Sequence, residues 1–253
     1  MTTLSIITIN YNNKSGLEKT IASVISQNFK DFEFIVIDGN SNDGSKEVIA
    51  SFQDKISVSV SEADKGIYDA QNKGITMASG KYLLFLNSGD VLYNVDTLKS
   101  ITPLLKEKSF YYGNLILEKS GKHEEHIAPV TVDMDFMLNS TFWHPCVFIK
   151  SDLFKNFGLY NTDFKIAGDY EFFIRCLLKP NISSEHLNQF VSVFDGNGIS
   201  NDPKSVELLT SEREKAWKMN VSETVFENLK KQNAFDRSRY SKIINTIQKL
   251  RGK

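Results

Sequence analysis

Short apolar runs alternate with amphipathic stretches through the first ninety residues. Four runs rich in apolar and β-branched residues predict strands, at residues 4–9, 34–37, 56–61 and 82–86. Apolar positions at helical spacing follow the first three runs. We expect the first helix to open with a capping box from Ser15 to Glu18. Strands that alternate with helices indicate a parallel sheet with right-handed crossovers.

The pattern is less regular after Asp90. It predicts a helix near residues 96–105, strands near 110–117 and 145–149, and a largely apolar helix that begins near Asp169. Beyond Pro203 the chain becomes polar and helical. We therefore predict one α/β domain over residues 1–202 and a C-terminal helical tail over residues 203–253.

Composition limits the classes of protein that this chain can belong to. It has 253 residues, of which 41% are hydrophobic and 24% charged, with a net charge of -1. This balance fits one substantial core and offers no general attraction for nucleic acid. Cys146 and Cys176 lie in apolar contexts and are expected to be buried free thiols. No apolar run approaches the length of a membrane span, so we expect a cytoplasmic location.

Acidic residues follow two of the predicted strands. Asp38 comes directly after residues 34–37, and Asp90 follows residues 82–86 after a short Asn-Ser-Gly turn. In open parallel sheets the ligand binds outside the carboxyl ends of the strands. The first strand is followed by Asn10 and Tyr11 and lacks a glycine-rich turn, which argues against a dinucleotide site or a P-loop.

Four segments together resemble the family 2 glycosyltransferases. They are residues 36–45, the Asp64-Lys65-Gly66 segment with Ala70, Asn72 and Gly74, residues 85–90 and residues 168–171. The resemblance covers roughly residues 3 to 175 in the family's order. It implies the GT-A fold, a mostly parallel Rossmann-like sheet flanked by helices, which here carries a C-terminal helical tail.

The resemblance also implies an activity. We expect an inverting glycosyltransferase that moves a hexose or amino sugar from a nucleotide-diphosphate sugar to a hydroxyl of a growing cell-surface glycan or a lipid-linked acceptor. A UDP-sugar is favoured because uridine is the family's commonest donor base. One alternative is a non-catalytic subunit of the same fold that binds a nucleotide sugar or glycan. Another is a nucleotidyltransferase, which would release pyrophosphate.

The family's motifs assign roles to particular residues. Asp169 is the expected general base, although it could instead cap the helix that follows it. Asp38 is expected to accept hydrogen bonds from the nucleobase edge, or else to shape its turn. The predicted nucleotide-sugar residues are Ile9, Tyr11, Asp38, Asp64, Lys65, Asn72, Asn87 and Ser88.

Asp90 matches the last acidic position of the family's metal motif. We expect it to bind Mn²⁺ or Mg²⁺, since both ions prefer oxygen ligands. Asn87 and Gly89 stand where acidic residues are often found, so the motif retains one carboxylate and metal dependence could be partial. The alternative for Asp90 is a turn residue at the end of a strand.

Three further residues are candidates for contact with the acceptor or the diphosphate. They are His144, Trp143 and Glu171. Packing within the core is the alternative for His144 and Trp143. The glycine-rich segment 194–200 resembles loops that close over the donor, or it is a linker into the tail.

The end of the tail is basic and amphipathic. Lysines and arginines between residues 230 and 253 accompany Ile243, Ile244, Ile247 and Leu250 at helical spacing. Such a helix can lie on an anionic membrane surface, which would place the protein peripherally at the inner face of the cell membrane. Docking on the catalytic domain or on a partner helix is the alternative.

Overall fold

The chain builds one mixed sheet with helices on both faces. The computed structural model describes residues 2–198 and 201–235. The strands are β1 (Leu4–Asn10), β2 (Phe32–Asp38), β3 (Val58–Ser61), β4 (Tyr82–Phe85), β5 (Val91–Leu92), β6 (Phe110–Lys119), β7 (Lys122–His126), β8 (Val147–Lys150) and β9 (Ser184–Asp195). The helices are α1 (Lys14–Ile25), α2 (Ser45–Ser51), α3 (Ile67–Met77), α4 (Thr97–Ile101), α5 (Met134–Asn139), α6 (Asp152–Phe157), α7 (Gly168–Leu177) and α8 (Val206–Asn220). Residues 223–235 are also helical.

The strands are ordered β3-β2-β1-β4-β8-β6-β9-β5, and β7 pairs with β6 outside this path. β1 to β4 are parallel, as predicted, and α1, α2 and α3 supply the crossovers that parallel pairing requires. The second half is mixed. β8 runs antiparallel to β4 and β6, and β5 runs antiparallel to β9, while β6 and β9 are parallel. The prediction of strands flanked by helices is confirmed.

Both faces of the central strands are buried, which explains why these strands are apolar throughout. Ile7 and Phe85 point to the face covered by α3 and α7. Ile6 and Leu84 point to the opposite face, which α1, α2 and α4 cover. Gly74 allows α3 to lie directly on β1, because a Cβ at this position would come within 2.5 Å of Ile7 Cγ2.

The first helix begins differently from the sequence-based expectation. Asn13 is the N-cap, and its side-chain oxygen accepts a hydrogen bond of 3.1 Å from the Gly16 amide. Ser15 therefore lies inside the helix, and the predicted capping box from Ser15 to Glu18 is wrong. Either residue type is a good cap, and a contact with the turn after β4 favours Asn13, because its side-chain amide also donates to the Ser88 carbonyl.

Helix α8 is fastened to the loop that precedes α7. The Glu212 carboxylate is buried and accepts hydrogen bonds from the backbone amides of Lys165, Ile166 and Ala167 at 2.7, 2.9 and 2.9 Å. Trp217 is also buried. The first part of the tail thus packs into the main core, while the boundary at residue 202 stays a prediction.

The basic stretch at the end of the chain lies mostly outside the described residues, which end at residue 235. Within them, Lys230 forms an ion pair with Glu227 at 3.0 Å. No helix in the described ranges is both long enough and apolar enough to cross a membrane.

We predict that Glu212→Ala lowers the free energy of unfolding by about 3 kcal/mol, because it leaves three backbone amides without their charged acceptor. Urea denaturation of the full chain measures this change. Glu214→Ala removes a partly exposed carboxylate from the same helix, where it pairs with Lys218 at 2.9 Å. This control should leave the denaturation midpoint almost unchanged. Equal, small effects of the two substitutions would contradict the anchoring role of Glu212.

Candidate active site

Two adjoining cavities open along the edge of the sheet where β1 and β4 end. We call the larger one, of about 770 Å³, the Tyr11 cleft, and the smaller one, of about 370 Å³, the Trp143 pocket, each after a residue in its wall. Four residues line both cavities, namely Ile67, Asn87, Asp90 and Phe194. The two cavities therefore meet at the turn that follows β4.

The Tyr11 cleft contains five of the eight residues predicted to bind the nucleotide sugar, which are Ile9, Tyr11, Asp64, Asn87 and Ser88. Tyr11 is 69% exposed. A Cβ on Gly39 would lie 2.5 Å from the Asp64 carboxylate and 3.1 Å from the Tyr11 ring, so this glycine makes room for both side chains. An exposed aromatic face beside a carboxylate can stack on a heterocyclic base and accept hydrogen bonds from its edge.

Asp38 lies beneath the cleft and lines neither cavity. It is completely buried and accepts hydrogen bonds from Ser41, Ser61 and Asn10. Burial raises the pKa of Asp38, but the hydrogen bonds from these three side chains and from the Ser41 amide outweigh it and hold the pKa below its usual value. Asp38 therefore shapes the loop after β2, and its contact with a nucleobase stays a prediction.

Lys65 and Asn72 also lie outside the walls of the two cavities. The Asn72 amide group bonds to both backbone groups of Tyr160, at 2.9 and 3.0 Å, and so ties α3 to the loop before α7. Lys65 is exposed, and its backbone amide donates to Asp69. Their predicted contacts with the nucleotide sugar stay predictions.

Asp90 has an acidic neighbour that the sequence did not reveal. It is only 4% exposed, and the Asp195 backbone amide at the end of β9 donates to its carboxylate at 3.1 Å. Burial, with a further contribution from the Asp195 charge, raises the pKa of Asp90 to about 7. Among the described residues Asp90 forms no ion pair with a lysine or arginine. The immediate surroundings of Asp90 in the Tyr11 cleft are therefore acidic.

This donor set suits a hard divalent cation. Asp90, Asp195 and the Asn87 side chain all face the Tyr11 cleft and supply oxygen atoms, the ligands that Mg²⁺ and Mn²⁺ prefer. In the described ranges no cluster of three or more histidine, cysteine, aspartate or glutamate side chains could hold a metal by itself. Any cation here would consequently share its coordination with a ligand or water.

Asp169 lines the Trp143 pocket from the first turn of α7. The cap position of this helix is Ala167, so Asp169 is not the N-cap. The Tyr68 hydroxyl donates to one Asp169 oxygen at 2.9 Å, and only glycine fits at position 168, where a Cβ would lie 2.8 Å from the Tyr68 ring. Burial and the Asp169 charge raise the pKa of Tyr68 well above its usual value, so Tyr68 remains a donor.

His144 and Trp143 also line the pocket, while Glu171 lines neither cavity. His144 Nε2 lies 2.9 Å from the Tyr160 hydroxyl, and the ring stacks on Phe85. Burial lowers the pKa of His144, against a smaller opposing effect of the Asp169 charge, which favours the neutral ring. Glu171 is buried and pairs with Arg175 at 2.9 Å, an arrangement that stabilises α7.

Three residues of this site were missed by sequence reasoning: Asp195, Tyr68 and Arg213. For Asp195 and Tyr68, the sequence offered no signal except their positions near predicted segments. Asp195 ends a strand at the segment predicted to close over the donor, and Tyr68 lies inside the matched segment from Asp64 to Gly74. Arg213 belongs to the predicted tail, yet it lines the Trp143 pocket from α8.

Comparison with known proteins assigns the chain to a family. The model of "Glycosyl transferase family 2" matches residues 5–163. A "PGL/p-HBAD biosynthesis glycosyltransferase" of Mycobacterium bovis is 28% identical over 213 residues, covering 81% of this chain and 82% of the relative. A "GalNAc(5)-diNAcBac-PP-undecaprenol beta-1,3-glucosyltransferase" of Campylobacter jejuni is 31% identical over 139 residues, covering 53% of this chain and 45% of the relative.

Solved structures share the fold at low sequence identity. TarS of S. aureus, determined in complex with UDP-GlcNAc, superposes with a TM-score of 0.62 at 19% identity, covering 78% of this chain and 59% of that one. The mannosyltransferase PcManGT of Pyrobaculum calidifontis, in complex with GDP-Man and Mn²⁺, gives a TM-score of 0.58 at 15% identity, with coverages of 76% and 56%. This chain thus spans less than two thirds of either structure.

The residues matched by the family model include the walls of the Tyr11 cleft that precede Phe194, and the fold is that of the GT-A neighbours. The chain therefore belongs to glycosyl transferase family 2 and is a glycosyltransferase with the GT-A fold.

Proposed function

We propose that this glycosyltransferase moves a sugar from a nucleotide-diphosphate sugar, with a UDP-sugar favoured, to an acceptor hydroxyl with inversion at the anomeric carbon. One observation carries the proposal. Asp169 lines the Trp143 pocket only, the nucleotide-sugar residues Tyr11 and Asp64 line the Tyr11 cleft only, and Asp90 lines both cavities. Donor and acceptor would approach each other at Asp90 from these two cavities.

The donor end of the reaction belongs to the Tyr11 cleft. Tyr11 stacks on the nucleobase, and Asp64 accepts hydrogen bonds from the nucleoside. Asp90, Asp195 and Asn87 would hold a divalent cation, Mn²⁺ or Mg²⁺, beside the diphosphate. When bound, the cation supplies positive charge that stabilises the leaving nucleoside diphosphate. PcManGT, which has the same fold, was determined with Mn²⁺ and GDP-Man, and this supports the assignment.

The acceptor end belongs to the Trp143 pocket. Asp169 removes the proton from the acceptor hydroxyl while that oxygen forms a bond to the anomeric carbon. The bond from the anomeric carbon to the diphosphate oxygen breaks, and its electron pair leaves with the nucleoside diphosphate. The attack comes from the face opposite the leaving group, so the anomeric configuration inverts. Tyr68 holds one oxygen of Asp169, which leaves the other free to accept the proton.

The acceptor that we propose is a growing cell-surface glycan or a lipid-linked saccharide. The relative from Campylobacter jejuni, whose name specifies an undecaprenol-linked substrate, supports the lipid-linked class. TarS with UDP-GlcNAc supports a UDP-sugar as donor. A cytoplasmic location with peripheral contact at the inner face of the cell membrane stays a prediction, because most of the basic tail lies outside the described residues.

We predict that Asp169→Asn lowers the turnover number by about 10² to 10⁴-fold while UDP affinity is unchanged, because the amide cannot accept the proton. The assay follows UDP release from a panel of UDP-sugars with alkyl glycosides as acceptors, and calorimetry measures UDP binding. Asp163→Asn, at an exposed position in the preceding loop, is the matched control. Turnover of Asp169→Asn within a few-fold of the wild type would remove Asp169 from the role of base.

We predict that Asp90→Asn and Asp195→Asn each weaken Mn²⁺ binding in the presence of UDP by at least about tenfold, because each removes an anionic oxygen ligand. Electron paramagnetic resonance of free Mn²⁺ measures this affinity without any turnover. Removal of metal with EDTA should also reduce UDP-sugar cleavage by the wild type. Asp96→Asn, at an exposed position outside both cavities, is the control. Unchanged Mn²⁺ affinity in both site variants would exclude this metal site.

We predict that Tyr68→Phe lowers the turnover number by about tenfold and leaves the donor KM unchanged, since Tyr68 positions the base and does not line the Tyr11 cleft. Steady-state kinetics separates these two constants, and a thermal melt shows whether folding is affected. Tyr93→Phe removes a hydroxyl from a tyrosine that is 45% exposed and serves as the control. A raised donor KM with unchanged turnover would contradict the positioning role.

A further inference from the structure

Helix α8 contributes an arginine to the wall of the Trp143 pocket. Leu209 and Arg213 lie one helical turn apart and both face this cavity. Neither residue lines the Tyr11 cleft. The guanidinium of Arg213 is therefore on the side of the site where Asp169 lies, away from the predicted nucleotide pocket.

The Arg213 side chain is only partly satisfied by the protein. Its guanidinium lies over the Tyr170 ring, 5.0 Å from the ring centre. Its Nε is buried and has no hydrogen-bond partner among the described residues. Arg175, by contrast, bonds to the Glu171 carboxylate and to two backbone carbonyls. A buried donor without an acceptor is costly, so a ligand that supplied the acceptor would gain binding free energy.

Contacts within the protein hold Arg213 in position before any ligand binds. Glu212, the preceding residue, is bonded to the three backbone amides of residues 165–167. One turn further along, the Trp217 indole donates to the Tyr170 hydroxyl at 2.8 Å. These two anchors hold α8 against α7, so little conformational entropy would be lost when a ligand engages Arg213.

Arg213 is the positively charged side chain among the described residues that line the Trp143 pocket. Besides Arg213, the ionisable side chains in its described walls include the carboxylates of Asp90 and Asp169, and His144, whose pKa is lowered by burial. An anion that entered this pocket would be repelled by the two carboxylates. Arg213 provides the compensating positive charge, and its planar group matches phosphate and carboxylate oxygens.

We propose that Arg213 binds a negatively charged group, a phosphate or a carboxylate, on the acceptor substrate. The inference rests on the proposed function, because it takes the Trp143 pocket as the acceptor site. The anion belongs either to a phosphate-linked saccharide or to a uronic acid. An acceptor of this class would be selected by Arg213 and deprotonated by Asp169 in the same pocket.

The test is a binding titration of the full chain saturated with UDP and Mg²⁺. The probes are octyl glucoside, octyl glucuronide and octyl glucosyl phosphate, which share an alkyl chain and a sugar and differ in charge. Trp143 lines the pocket, so the fluorescence of the two tryptophans reports occupancy. We expect one charged probe to bind at least about tenfold more tightly than octyl glucoside. Whether it is the glucuronide or the phosphate identifies the source of the anion.

Arg213→Gln should reduce the affinity for that charged probe to the level of octyl glucoside. Lys218→Gln removes the same charge from the same helix at a residue outside the pocket, and it should keep the wild-type preference. Equal affinity of the wild type for charged and neutral probes, or a preference retained in Arg213→Gln, would overturn the proposal. UDP affinity is measured separately for each variant, so a failure of nucleotide binding, which concerns the proposed function, is distinguishable from a failure at Arg213.

Discussion

The site is organised around the buried carboxylate of Asp90, which lies beside a second acidic residue, Asp195. Asp90 follows β4 in the parallel half of the sheet, and Asp195 ends β9 in the mixed half. The hydrogen bond from the Asp195 amide to Asp90 joins these two halves at the point where both cavities meet. Burial raises the pKa of Asp90, and the charge of Asp195 adds a smaller contribution in the same direction. The sheet must hold the two acidic residues together, and a bound cation would relieve the repulsion.

Helix α8 packs against the main domain and contributes to the wall of the Trp143 pocket. Glu212 satisfies the backbone amides just before α7, the helix whose first turn carries Asp169. The same helix places Arg213 in the wall of the Trp143 pocket. The family model ends at residue 163, so this wall is built by a segment beyond the shared motifs. In the proposed mechanism this pocket receives the acceptor, so variation in such a segment would change the acceptor while the matched core stays the same.

Some residues that match the family's motifs line neither cavity and instead bond to other parts of the protein. Asp38 bonds to Ser41 and Ser61, so it sets the shape of the loop after β2. Asn72 holds the backbone of Tyr160, and the hydroxyl of Tyr160 in turn meets His144. A match to a motif therefore identifies residues in or near the two cavities, while an individual side chain can bond to the protein and line neither cavity.

The local pattern of the sequence determined the four strands of the parallel half, the helices between them and the residues at the strand ends. It did not predict the short elements β5, β7, α5 and α6 of the second half. Apolar period and strand length placed Asp90, and the motif order placed Asp169 and Tyr11, which all line the cavities. These features depend on neighbouring residues, and local signals record them well. The parallel half of the sheet followed from the alternation of strands and helices.

Only the tertiary structure decided which distant residues meet. Asp195 bonds to Asp90 across 105 positions, and Tyr68 bonds to Asp169 across 101. The antiparallel pairing of β8 and the burial of Glu212 and Arg213 Nε likewise depend on how α7, α8 and the sheet pack. Hydrophobic periodicity says which face of an element is buried, but it does not say against which element. That choice is made by packing and by the pairing of buried polar groups, and these interactions exist only once the chain has folded.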